Sequence, residues 1–116
     1  MAHAVLSVFN GRDNVEYLVI EQDGTAVADL SGVTRIQFVV GDTVIDSDSA
    51  PAETVVWNDQ KTYAGATVDV VSLLLGHVGL TPGRYRHCFL ILFDSANDDG
   101  AVWSRDITVN VYAEGE

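Results

Sequence analysis

The sequence is poor in several residue types, and each shortage removes a class of protein. One cysteine, Cys88, excludes an intramolecular disulfide and with it the disulfide-framework domains. One lysine, Lys61, and five arginines face seventeen carboxylic side chains, for a formal charge of −11. A surface that negative repels phosphate backbones, so no nucleic-acid partner is expected. The longest apolar run, Cys88 to Phe93, is six residues, far short of the about twenty that cross a bilayer as a helix, and no membrane partner is expected. Met1 to Leu6 carries neither a basic segment nor a small-residue cleavage site, so no targeting segment is expected.

Motifs for chemistry are equally scarce. His3, His77 and His87 are far apart, and neither CxxC nor HxxxH spacing accompanies them. There is no GxSxG elbow and no glycine-rich loop leading into a helix. His87 and Cys88 are neighbours in a predicted strand, where adjacent side chains point to opposite faces, so the imidazole is badly placed to activate the thiol. Nothing selects a catalytic pair among the carboxylates. The expectation is a protein that is not an enzyme.

What remains is β-forming material. The 116 residues make one predicted domain over residues 1–116, with 47% apolar residues and enough chain for a core. Valine occurs eighteen times and threonine eight. Such β-branched side chains are stiff at χ1 and suit pleated surfaces. Strands are predicted at 4–9, 15–21, 25–30, 35–40, 43–46, 54–57, 84–93 and 101–112, with turns at Asp23-Gly24, Gly41-Asp42 and Pro82-Gly83. Residues 58–65 read as a loop. Thr67 to Leu75 is compatible with a helix ending at Gly76, but its β-branched first half favours a strand. The predicted fold is all-β: an immunoglobulin-like antiparallel β-sandwich of seven to nine short strands.

The strand 84–93 is apolar on both faces. Tyr85, His87, Phe89, Ile91 and Phe93 form one set, and Cys88, Leu90 and Leu92 the other. With the first set in the core, Cys88, Leu90 and Leu92 look outward and become the candidate subunit interface; the plainer reading covers them with a loop of the same chain.

Two weaker sites stand beside it. Trp57 and Tyr63, with Trp103, are a candidate glycan platform, although Trp103 shares its parity with the inward Ile107, Val109 and Val111. Asp94, Asn97 and Asp99, with Ser95, Gly100 and Asp106, have part of a calcium-loop spacing, while lacking the leading Asp and the closing Glu. No cofactor is expected, and calcium is the one candidate ion. The plain reading of Asp94 to Gly100 is a solvated hairpin tip.

Gly83-Arg84-Tyr85 opens its strand where immunoglobulin-like folds carry a tyrosine corner. The order of elements also resembles the small immunoglobulin-like domains of tailed-virus particles. The matching strings are Asp29 to Gly32, Thr34 to Ile36, Ile45-Asp46, Leu75-Gly76, Pro82 to Tyr85, Asp94 to Gly100 and Trp103. The resemblance implies a structural subunit of head, neck, tail or baseplate, assembled with other virion proteins and with copies of itself in the host cytoplasm. The alternative is a carbohydrate-binding or adhesion module of a secreted protein. Low lysine with high aspartate fits either a salt-adapted host or simply a soluble acidic surface.

Overall fold

The computed structural model describes residues 4–22, 25–27 and 29–114. The predicted Asp23-Gly24 turn, His3 and the last two residues lie outside them. The described residues contain ten strands and no helix. The strands are β1 (Ala4–Phe9), β2 (Val15–Val19), β3 (Glu21–Gln22), β4 (Thr25–Ala26), β5 (Arg35–Val40), β6 (Thr43–Asp46), β7 (Val55–Tyr63), β8 (Ala66–Leu74), β9 (Gly83–Phe93) and β10 (Ala101–Tyr112).

Two sheets dominate. One has five strands in the order β1-β10-β9-β5-β6, the other three in the order β2-β8-β7; β3 and β4 form a separate two-stranded ribbon. All pairings are antiparallel except β1 with β10, which is parallel. Both large sheets contribute to one buried cluster: Leu6, Ile36, Phe38, Leu90 and Val109 from the first, Leu18, Val71 and Leu73 from the second. The alternation in β5 explains its placement. Ile36, Phe38 and Val40 are buried, while Arg35, Gln37 and Val39 lie on the opposite face, as a period of two requires.

Several expectations change. Of the ambiguous residues 67–75, all but Leu75 lie in strand β8, as β-branching favours. The expected loop at 58–65 is instead the second half of β7, and the chain reverses only at Ala64 and Gly65. Asn, Asp, Gln and Lys have little intrinsic preference for strands, and here β8 supplies the pairing that holds them extended.

The largest correction concerns β9. Cys88, Leu90 and Leu92 are 1%, 0% and 2% exposed and sit in the core; they are not an outward interface. The cause is a β-bulge. Tyr85 pairs with Val109 and Cys88 with Ile107, so Arg86 and His87 together oppose one residue of β10. His87 takes a left-handed conformation, with φ 59°. The extra residue reverses the parity of everything that follows. Tyr85 packs against the core from an odd position, and beyond the bulge the even positions take over. Further register shifts in β10 around Trp103 and Arg105-Asp106 leave Trp103 half-buried against the core.

Candidate functional site

With Cys88, Leu90 and Leu92 inside, their neighbours Phe89, Ile91 and Phe93 face away from the core. Cross-strand partners extend that face. Val39 of β5 stands opposite Phe89 on one side and Val44 of β6 on the other. Ile91 stands opposite Val102 of β10. Directly opposed residues share a face, so Val44, Val39, Phe89, Ile91 and Val102 make one apolar ladder across four strands. Its two ends are open, Val44 55% and Val102 56% exposed, and Phe89 at its centre is 38% exposed. Phe93 is partly covered, with the Arg35 guanidinium 4.8 Å from its ring centroid.

Charged groups border the ladder. Beside β6, Arg35 donates from Nε to both carboxylate oxygens of Asp46 at 3.0 and 3.1 Å, and its Nη2 also binds Oδ2. Gln37 donates to Asp46 Oδ2 at 2.9 Å. These donors, led by Arg35, hold the Asp46 carboxyl far below the ordinary carboxylate range despite an opposing desolvation cost. On the other side the bulges of β9 and β10 bring together His87, Arg105 and Asp106, which line a shallow depression with Phe89. His87 Nδ1 lies 3.5 Å from Asp106 Oδ1. Arg84 and Arg86 are exposed on the same strand. Arg35, Arg84, Arg86 and Arg105 are four of the six basic side chains of a chain whose net charge is −11.

The remaining sequence-predicted groups fall elsewhere. Trp57 and Tyr63 form no common platform. They are six residues apart in an extended strand, roughly 20 Å, and the bulge between Val56 and Asp59 puts them on opposite faces. The Trp57 indole packs against the core and donates from Nε1 to the Val33 carbonyl at 3.1 Å. Tyr63 is exposed and its hydroxyl donates to Glu21 Oε2 at 3.1 Å. That bond to a carboxylate raises the phenol's pKa.

Of Asp94, Asn97 and Asp99, the first two are engaged with each other in a turn. Asp94 Oδ1 accepts from the backbone N–H groups of Ala96 and Asn97 at 2.9 and 2.8 Å and from Asn97 Nδ2 at 3.0 Å, which makes it the clip of its own turn. Among the described residues no group of three His, Cys, Asp or Glu side chains is arranged to hold a metal. Burial raises the Cys88 thiol pKa, and its Sγ lies 3.7 Å from the Tyr85 carbonyl oxygen. A thiol in that setting is a poor nucleophile.

The outward ladder escaped the sequence reading because a strict period of two assigns its residues to the core. One signal was present: ten alternating positions with apolar groups on both sides demand two covers, whichever face is inward. Comparison with family models, curated proteins and solved structures finds no match for this chain.

Proposed function

We propose that this chain is a non-catalytic structural subunit of a tailed-virus particle, an accessory component of the head, neck, tail or baseplate that acts by docking on another virion protein. The observation that carries the docking is the ladder Val44, Val39, Phe89, Ile91 and Val102, an apolar stripe open to solvent on a strongly acidic chain. Contiguous exposed apolar surface rimmed by polar groups marks contact sites. On the β9–β10 side the rim carries Arg84, Arg86 and Arg105, with Asp106 beside His87. The partner surface therefore has an apolar centre flanked by carboxylates, a match that guides encounter and rejects wrong partners.

An immunoglobulin-like β-sandwich is the finer reading of the fold. Three features support it: the five-strand order with β1 parallel to β10, the three-strand order β2-β8-β7, and the Tyr85 hydroxyl donating to the Thr81 carbonyl at 2.6 Å. The last is the bond expected of a tyrosine corner. The virion assignment itself rests on the resemblance of residues 29–111 to particle domains. Its test is genetic and then chemical. Portal, capsid, terminase or tail genes should flank this one, and peptides of this chain should be found by mass spectrometry in gradient-purified particles. Particles that lack the chain would overturn the assignment.

A further inference from the structure

The second half of β7 is an unpaired strand edge. Every residue from Asn58 to Tyr63 is exposed. Among the described residues β7 pairs with β8 alone, from Val55 opposite Leu73 to Tyr63 opposite Ala66. The connecting turn is two residues, Ala64 at φ 52° and Gly65 at φ 83°. Two positive φ values in succession suit the right-handed twist of a tight hairpin. In such a hairpin the closing pair, Tyr63 and Ala66, is hydrogen-bonded, and the ladder then alternates. Lys61 and Asp59 turn their backbone groups towards β8. Gln60 and Thr62, beyond the bulge, turn theirs towards the open edge.

Natural edges are blunted by proline, by shortness, by a bulge or by charge, lysine above all; beyond its bulge this edge carries only the last, Asp59 and Lys61, and a second copy can pair the two. This one is nine residues long, contains no proline, and has its bulge before Asp59. The residues beyond it present an uninterrupted row of donors and acceptors.

We infer that this edge pairs antiparallel with the same edge of a second copy of the chain, about a two-fold axis at Gln60. The charge pattern selects both partner and register. An axis at Gln60 places Asp59 opposite Lys61 of the second copy, and Lys61 opposite its Asp59. These are non-hydrogen-bonded pairs, whose side chains come closest. Gln60 then pairs with Gln60 of the second copy, and Thr62 falls opposite its Asn58, where the bulge lies. Moving the axis to Asp59 or to Lys61 keeps the backbone pairing but sets like charges face to face. Lys61, the only lysine in the chain, lies with its Nζ 4.3 Å from the Tyr17 ring centroid, on the same side of the sheet as Asp59. The result is a continuous sheet β2-β8-β7 joined to its symmetry mate through two β7 strands. The interface is small by the standard of stable complexes, so the pairing belongs to high concentration or to a repeated assembly. It uses a different surface from the β5-β9-β10 face, and neither proposal depends on the other.

Cysteine cross-linking tests the register. Residues in a hydrogen-bonded antiparallel pair have Cα atoms about 5.5 Å apart, within disulfide reach. Gln60→Cys is therefore expected to give a covalent dimer on mild oxidation at millimolar protein. Thr62→Cys, four residues out of register with its own copy and roughly 13 Å away, is expected to give at least tenfold less. Sedimentation equilibrium supplies the second measurement. Wild type is expected to show a monomer–dimer equilibrium that weakens at least tenfold in Lys61→Asp and recovers when Asp59→Lys is added. Equal cross-linking of both cysteine variants, or of neither, overturns the proposal. So does a wild-type protein that stays monomeric at millimolar concentration.

Discussion

The bulge at Arg86-His87 decides which side chains of β9 are core, and two substitutions read it out. Leu90 is fully buried, and truncation to alanine removes three carbons from a packed site. At about 0.8 kcal/mol per methylene, transfer alone costs about 2.4 kcal/mol, and the cavity left behind raises the total to about 3–4 kcal/mol. A chain of 116 residues unfolds with an entropy of about 2.1 cal/mol/K per residue, so each kcal/mol moves Tm by about 4 °C. Leu90→Ala should therefore lower Tm by about 12–16 °C. Phe89 is 38% exposed on the outer face and has less to lose. Phe89→Ala should cost about 1 kcal/mol, or about 4 °C. Differential scanning calorimetry with denaturant titration measures both. The uninterrupted period of two expected from the sequence requires the reverse order. A larger loss for Phe89→Ala than for Leu90→Ala would refute the bulge and the outward ladder together.

Two further predictions concern stability. Gly76 sits where a Cβ would collide with the backbone carbonyls of Arg12 and Phe9, so Gly76→Ala should cost about 1–3 kcal/mol, seen as a lower midpoint at unchanged m-value. Asp46 is ionised more readily in the fold than in the unfolded chain, chiefly through Arg35. Its contribution is therefore complete above the unfolded value of about 3.9 and is lost as pH falls from there towards the depressed folded value. Asp46→Asn should lower stability at pH 7 by about 1 kcal/mol, given that Arg35 is 37% exposed, and should reduce the pH dependence below pH 4. An unchanged acid-unfolding profile would show that the pair does not contribute.

Much of the fold is legible in local pattern. The β5-β6 hairpin follows from the alternation of Ile36, Phe38 and Val40 and from the turn at Gly41-Asp42. Valine at positions 68, 70 and 71 settles β8 as a strand. Three features were hidden, each for a physical reason. No glycine or asparagine marks the bulge, because His87 itself adopts the positive φ. A polar strand such as 58–63 is extended only because β8 lies beside it, which no short window shows. The parallel pairing of β1 with β10 joins opposite ends of the chain and leaves no trace in periodicity. The inverted candidate site follows from the first of these alone. One inserted residue moves the outward apolar set of β9 from Cys88, Leu90 and Leu92 to Phe89, Ile91 and Phe93.

The most direct test of the docking claim is incorporation of Val44→Asp/Val102→Asp into particles beside wild type. Both side chains are more than half exposed, so the variant should fold with circular dichroism and Tm close to wild type. The variant is expected to accumulate as soluble protein and to be depleted at least tenfold from gradient-purified particles. Incorporation at the wild-type level would show that the outer face of the five-stranded sheet is not the docking surface.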